Sequence, residues 1–181
     1  MSGIIGSPGS KSAIIGDRGG VTIAKQYRTT STYTGNSDGQ PILGSRIEEV
    51  DTGGYKGLGP SFTVGSGDGV FTFPATGCWY ISFTAEFQKN GDSRFNTVEI
   101  ETSTTVSPSF TPQTKAQSAL SQSESSYTYN SATCSMLFYV TATSTHKCRF
   151  VTTCSDSSGV EVLGESTKSR TFMDFIKLGN I

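Results

Sequence analysis

The chain has 181 residues and a formal net charge of -1 at neutral pH, with its basic residues scattered rather than clustered. That length suits one domain, alone or with an arm, and the charge pattern argues against nucleic acid or a membrane surface as a partner. Of the 181 residues, 27 are Ser, 25 are Thr and 21 are Gly. Because Thr favours strands and Ser and Gly favour turns, the composition predicts an all-β fold.

Residues 1–20 form a Gly-rich segment in which the triplet Ile-Ile-Gly occurs twice, ten residues apart. Such a segment cannot bury a core of its own, and two apolar pairs are unusual in a purely solvated linker. Two interpretations follow: a disordered tail, or an extended docking arm that attaches the chain to a larger particle. In the second, which we favour, the docking residues are Ile4, Ile5, Ile14 and Ile15.

Residues 21–181 alternate between strand-like segments and turns, with no helical pattern between them. Aromatic side chains recur at every second position around Trp79, which is the period of a strand. Many short strands of this kind predict a two-sheet sandwich or a barrel. The predicted strands span residues 21–33, 46–51, 61–64, 70–74, 78–88, 94–102, 132–143, 147–154, 160–163 and 170–178.

The stretch from Ser103 to Ser131 is rich in Ser, Thr and Gln and is the longest one without a strand pattern. Its length fits either a functional loop or a pair of weak edge strands. We expect a loop on the outside of the assembly that carries any external recognition. Tyr127 and Tyr129 would then offer aromatic platforms for weak polar or glycan contacts.

Three of the predicted strands carry apolar side chains on both faces, whereas a two-sheet sandwich needs only one apolar face per strand. The second apolar face predicts that neighbouring subunits cover one sheet. The candidate interface residues are Tyr80, Leu137, Tyr139 and Phe175.

The four cysteines are predicted to be free thiols, because the N-terminal stretch lacks an apolar run of export-signal length. No Cys-x-x-Cys pair is present and His146 is the only imidazole, so we expect no metal site and no cofactor. His146 has no recognisable acid partner, and Glu48 and Glu49 are adjacent and point to opposite faces of a strand. The sequence therefore predicts that the protein is not an enzyme. It contains no apolar stretch of membrane-spanning length.

Three segments of the chain carry a recognisable motif. In the central one, Phe71 is followed after five residues by Gly77, and then by Trp79, Ile81 and Phe83 at alternating positions. "RIEEVDTGGYKGLG" precedes it and "TFMDFIKL" follows it. Together these segments resemble the globular head domain of the complement q-subunit, a jelly roll shared with the tumour necrosis factor superfamily, although Trp79 and Ile81 replace the usual Tyr and Phe of that family. The resemblance covers roughly residues 45–178.

The resemblance implies a two-sheet jelly roll that forms a compact homotrimer and works by binding. The N-terminal stretch "MSGIIGSPGSKSAIIG" resembles the N-termini of structural proteins of tailed bacteriophages. Together these features predict a virion structural protein that assembles in the host cytoplasm beside other virion proteins. It would be a trimeric capsid decoration or fibre knob anchored by its arm.

Two alternatives share the predicted fold. One is a receptor-binding module of a tail fibre, which would adhere to a glycan or protein on the host surface. The other is a secreted head domain like that of the complement subunit. Because all three functions use the same fold, only the surface residues of the domain can distinguish them.

Overall fold

The computed structural model describes residues 20–122, 125–155 and 159–181. The predicted docking residues Ile4, Ile5, Ile14 and Ile15 lie outside the described part of the chain. Within it, the chain forms thirteen strands and one short 3-10 helix at Gly44–Arg46. In chain order the strands are β1 (Ala24–Thr29), β2 (Ser31–Thr34), β3 (Gln40–Pro41), β4 (Ile47–Glu49), β5 (Thr63–Val64), β6 (Phe71–Thr72), β7 (Gly77–Lys89), β8 (Ser93–Ser103), β9 (Thr111–Leu120), β10 (Thr128–Val140), β11 (Lys147–Cys154), β12 (Glu161–Glu165) and β13 (Phe172–Gly179).

The strands form two antiparallel sheets. The first sheet has the order β2-β12-β7-β13-β1-β4, and β10 also pairs with β7 along its whole length. The second sheet has the order β5-β6-β11-β8-β9, and β3 pairs with β11. The predicted all-β, two-sheet jelly roll is therefore confirmed. Among the described residues, no helix is long and apolar enough to cross a membrane.

The core lies between the two sheets and is built from the inward side chains of alternating strand positions. In β7 the fully buried side chains are Trp79, Ile81, Phe83, Ala85 and Phe87, which is the period of two that the sequence shows. Some aromatic pairs join the two sheets edge to face, such as Tyr27 with Phe71 and Phe150 with Phe175, a geometry that favours the attraction between ring edges and faces. The central strand of the first sheet is thus anchored by its apolar face.

The segment from Ser103 to Ser131 is not the loop that we expected. Strand β8 extends to Ser103, β9 follows along the edge of the second sheet, and β10 begins at Thr128. The alternative interpretation, a pair of edge strands, describes it better. Partly buried positions alternate with exposed ones along β9, but the partly buried residues are Thr114, Ala116 and Ser118. Because these side chains are small or polar, β9 lacks the alternation of apolar and polar residues by which a strand is recognised in a sequence.

All four cysteines lie in the described part of the chain and are free thiols. Cys134, Cys148 and Cys154 are buried, whereas Cys78 is partly exposed. Burial raises the pKa of Cys148 far above that of an exposed thiol, and burial raises the pKa of Cys134 to about 12. Both thiols therefore remain protonated at neutral pH, where they pack as small apolar side chains.

Candidate functional site: the open face of the first sheet

The first sheet has one face on the core and a second face turned away from the other sheet, which we call the open face. Strand β10 shows the division most clearly. Phe138 and Val140 point into the core, while Leu137 and Tyr139 are 55% and 59% exposed. Exposed Leu and Tyr side chains on neighbouring positions of one sheet face form an apolar patch rather than isolated surface residues.

An apolar strip crosses three strands of the open face. Leu137 of β10 pairs with Tyr80 of β7, and Tyr80 pairs with Ile176 of β13. Tyr139 follows two positions after Leu137 on the same face. Side chains directly opposite each other on one sheet face are in contact, so these four residues form one surface, which we call the apolar end. It contains three of the four predicted interface residues: Tyr80, Leu137 and Tyr139.

Phe175, the fourth predicted interface residue, was assigned to the wrong face of β13. Its side chain is fully buried between the sheets. Its ring centroid lies 4.2 Å from that of Phe62 and 5.0 Å from that of Phe71. Both faces of β13 carry large apolar residues, and it is the neighbouring Ile176 that lies on the open face.

A hollow of about 260 Å³ adjoins the apolar end. Tyr80, Ser82 and Ile176 contribute to its lining together with Tyr55 and Asp174. Gln26 Nε2 donates a 2.7 Å hydrogen bond to Asp174 Oδ1. Burial nevertheless raises the pKa of Asp174, because the bond from Gln26 offsets only part of the lost hydration.

Tyr55 reaches this hollow because the segment after β4 is fastened to β1. The Tyr55 hydroxyl accepts a 2.6 Å hydrogen bond from the backbone N–H of Gln26. Arg28 is 1% exposed and holds the same segment through three contacts: Nε to Glu48 at 2.7 Å, Nη1 to Thr52 at 2.8 Å and Nη2 to Asp51 at 3.1 Å. A buried guanidinium needs such a set of partners.

Glu48 and Glu49 serve opposite faces of β4, as their adjacency in the sequence predicted. Glu48 binds Arg28, and Glu49 accepts a 2.6 Å hydrogen bond from Lys25. The two carboxylates therefore do not converge on one site. What the sequence did not indicate is that both are bound by nearly buried cations of β1, Lys25 and Arg28.

The opposite end of the open face is polar. We call it the polar end and define it by five residues: Glu86, Gln88, Tyr129, Ser131 and Glu161. Ser131 pairs with Glu86, and Gln88 lies between Tyr129 and Glu161. Glu86, Tyr129, Asn130 and Ser131 line a hollow of about 440 Å³. Arg170 Nη1 lies 3.3 Å from each carboxylate oxygen of Glu86.

The two predicted recognition residues lie close together near the start of β10. Tyr127 is 53% exposed in the connection from β9, and Tyr129 is 54% exposed within β10. Of the two, only Tyr129 contributes to the lining of the polar hollow. A role in external recognition stays a prediction for both residues.

His146 lies in the connection between β10 and β11. Its Nδ1 atom is 3.1 Å from the carbonyl oxygen of Ala142 and 2.9 Å from the hydroxyl of Thr145. Its ring packs 5.7 Å from that of Phe138, measured between centroids. These contacts stabilise the turn between β10 and β11, so His146 has a structural role there.

No family model matches the sequence, and no curated protein matches it. Solved structures do match the fold. The structure of Eiger TNF from S. frugiperda is similar with a TM-score of 0.61 and 11% identity, covering 88% of this chain and 94% of that one. Murine APRIL is similar in its pH 5.0 and pH 8.5 crystal structures, with TM-scores of 0.58 and 0.55 and identities of 11% and 12%. Both comparisons cover 86% of this chain and 98% of the murine one.

At these identities the likeness shows the fold. The domain is a jelly roll of the tumour necrosis factor type, as the resemblance in the sequence implied. The class that the fold and the open face define is therefore a TNF-like sandwich with one exposed, partly apolar sheet.

Proposed function

We propose that this protein is a non-enzymatic binding module that forms a homotrimer through the apolar end of its open face. The observation that carries this proposal is the exposure of Leu137 and Tyr139 beside Tyr80 and Ile176. Covering apolar surface stabilises an assembly by roughly 25 cal/mol for each Å² removed from water. A contiguous strip across three strands is therefore a natural surface for self-association.

A trimer is the oligomer that the fold favours. The resemblance to the complement and tumour necrosis factor jelly rolls implies three copies, and the similar solved structures include proteins of that fold. If the apolar end of one copy meets a different surface of the next, a rotation of one third of a turn closes the ring after three copies.

The test is the mass of the full chain in solution. Sedimentation velocity or light scattering should give three times the chain mass of 19.2 kDa. A stable monomer across the micromolar range would contradict self-association. A dimer would retain the interface but contradict the threefold arrangement.

The more specific proposal is a virion structural protein, a capsid decoration or fibre knob anchored by residues 1–20. It rests on the repeated Ile-Ile-Gly triplets and on the resemblance of the N-terminus to bacteriophage structural proteins. Ordering some twenty residues costs about 1–2 kcal/mol each, which exceeds the gain from burying four Ile side chains at about 1.5–3 kcal/mol each. Hydrogen bonds to the particle and three arms acting together would supply the remainder.

Deleting residues 1–20 tests the anchor separately from the trimer. The truncated protein should keep the trimer mass but fail to join the assembled particle. A second variant keeps the full length and replaces only Ile4, Ile5, Ile14 and Ile15 by Ser. It should lose incorporation into the particle to the same extent as the truncated protein. Incorporation of the truncated trimer at normal occupancy would contradict the docking role and leave self-association untouched.

The second candidate function is adhesion to the host surface at a tail fibre. The exposed Tyr129 beside the polar hollow favours it, because an aromatic platform with polar neighbours suits recognition of an external ligand. Antibody labelling of intact particles under the electron microscope separates the two placements. Labels along the capsid would support decoration, and labels at fibre tips would support adhesion.

A further inference from the structure

We infer that the polar end of the open face binds a neutral pyranose sugar. Tyr129 supplies the stacking platform for the ring, and Glu86 accepts hydrogen bonds from its hydroxyl groups. This site goes beyond self-association and does not depend on it.

The register of β10 and β7 brings the required groups together. Tyr129 pairs with Gln88, and Ser131 pairs with Glu86, so all four residues alternate onto the open face. The hollow that Glu86, Tyr129, Asn130 and Ser131 line has a volume of about 440 Å³. The hollow is open to solvent, so a ligand bound there would stay partly exposed.

The walls of this hollow are held in place by hydrogen bonds within the chain. Asn130 Nδ2 donates to the carbonyl oxygen of Ala119 at 2.6 Å, and the Ser131 N–H donates to Asn130 Oδ1 at 2.7 Å. Arg170 fixes Glu86 from the side, and Gln88 Nε2 donates to Glu161. Groups that are already positioned lose little conformational freedom when a ligand binds.

The chemistry of the hollow matches the two surfaces of a pyranose. Such a ring has an apolar face of C–H groups, which packs against an aromatic ring, and an edge of hydroxyl groups. Tyr129 is 54% exposed and can present its ring to the C–H face. A carboxylate such as Glu86 has about four acceptor positions for hydroxyl donors. An apolar ligand would instead strip water from Glu86 without replacing its hydrogen bonds.

The surrounding charges select a neutral sugar. Glu86 lines the hollow, and two further carboxylates lie on the neighbouring strand β12: Glu161, which pairs with Gln88, and Glu165, which shares Arg170 with Glu86. Arg170 already contacts two of these carboxylates, Glu86 through Nη1 and Glu165 through Nε, each at 3.3 Å. A sugar with its own carboxylate or sulfate would meet like charges there.

The sugar site and the apolar end are well separated. Tyr129 precedes Leu137 by eight residues of β10, which corresponds to about 27 Å at roughly 3.4 Å per residue. A neighbouring copy that covers the apolar end therefore need not displace the sugar. Binding and self-association can be measured as two independent properties.

Fluorine NMR on the full chain labelled with 3-fluorotyrosine tests the site directly. The chain has seven tyrosines, and the signals of Tyr129 and Tyr80 are those missing from the Tyr129→Phe and Tyr80→Phe variants. The probes are the methyl pyranosides of glucose, galactose, mannose and N-acetylglucosamine, with N-acetylneuraminic acid as the anionic comparison. At least one neutral sugar should shift the Tyr129 signal until saturation and leave the Tyr80 signal in place.

Two variants then test the assigned roles by isothermal titration calorimetry with the sugar that binds the wild type, because Tyr129→Ala has no Tyr129 signal to follow. Tyr129→Ala and Glu86→Gln should each weaken binding by about tenfold or more, the effect of losing one contact to a charged or stacking group. Gln117→Ala, an exposed change on β9 in the second sheet, should bind like the wild type. Unfolding curves confirm that each variant is folded.

The site is overturned if none of the neutral sugars shifts the Tyr129 signal or if only the anionic sugar does. It is equally overturned if Tyr129→Ala binds as tightly as the wild type. A monomeric mass with sugar binding intact would contradict the trimer alone, so the two proposals fail by different measurements.

Discussion

Leu137 of β10 lies directly opposite Tyr80 of β7, and Tyr80 lies opposite Ile176 of β13. This row joins three strands through apolar side chains on the face turned away from the core. The adjacent row, from Ser135 through Ser82 to Asp174, is polar or ionisable. On the open face, the apolar row is therefore followed by a polar row two residues further along each strand.

Leu137→Asp should convert the trimer to a folded monomer. Leu137 is 55% exposed in the single chain, so its replacement opens no cavity and should change monomer stability by less than about 0.5 kcal/mol. At a covered interface the same carboxylate would be buried without a partner, at a cost of several kcal/mol. Sedimentation velocity reports the mass, and circular dichroism reports the fold.

The matched control for Leu137→Asp is Gln117→Asp, which introduces the same charge at an exposed position of β9. It should leave the trimer mass unchanged. If Leu137→Asp also remains trimeric, the copies associate through another surface, and the apolar end has a different partner.

Phe175→Ala should destabilise the domain itself by about 3–5 kcal/mol, the usual cost of removing a buried Phe side chain. Phe175 is fully buried, whereas its neighbour Ile176 is only partly buried on the open face. Ile176→Ala should therefore cost less. Urea unfolding in the Leu137→Asp background separates folding from association. Equal losses for the two variants would contradict the inward placement of Phe175.

Phe175 also shows how far the sequence could be interpreted. A period of two separates the faces of a strand, and it correctly placed Tyr80, Leu137 and Tyr139 away from the core. It does not say which face is inward when both carry large apolar residues, as in β13. That choice depends on which side meets Phe62 and Phe71 from elsewhere in the chain.

The polar hollow could not be predicted from the sequence, because it too depends on contacts between distant parts of the chain. Glu86 and Tyr129 are far apart in the sequence, and they meet only because β10 pairs with β7 in one particular register. Tyr127 and Tyr129 were equivalent in the sequence, yet only Tyr129 lines the hollow. Exposed polar residues carry no periodicity that would predict such a pairing.

Cys78 should be the one thiol per chain that reacts in the folded protein. It is partly exposed on the open face, where it pairs with Tyr139, whereas the other three cysteines are buried. Burial raises the pKa of Cys134 to about 12, which keeps its reactive thiolate scarce. Iodoacetamide labelling followed by mass spectrometry gives the number of modified thiols and their positions.

The same labelling reports whether the open face is covered. Cys78 should react slowly in the trimer and faster in the Leu137→Asp monomer. Cys78→Ser should abolish labelling of the folded protein, while denaturant should expose the remaining three thiols. Labelling of Cys148 before unfolding would contradict the packed core.

Asp174→Asn should stabilise the protein at neutral pH and flatten its pH dependence. Burial raises the pKa of Asp174 above its ordinary value of 3.8, so the folded state holds this proton more tightly than the unfolded chain does. The free energy of unfolding therefore falls as the pH rises from about 4 through the folded pKa. Tyr55, which also lines the hollow, has its pKa raised by burial and stays neutral over this range.

Asn suits this test because its side-chain oxygen can still accept the hydrogen bond from Gln26 but cannot ionise. Urea unfolding should give equal stabilities for variant and wild type below about pH 4 and a more stable variant near pH 7. Coverage by a neighbouring copy would bury Asp174 further, so the trimer of the wild type should also loosen as the pH rises, and that of the variant should not. If the variant is instead less stable than the wild type near neutral pH, the ionised Asp174 carboxylate stabilises the fold. The hydrogen bond from Gln26 would then outweigh burial in setting the pKa of Asp174.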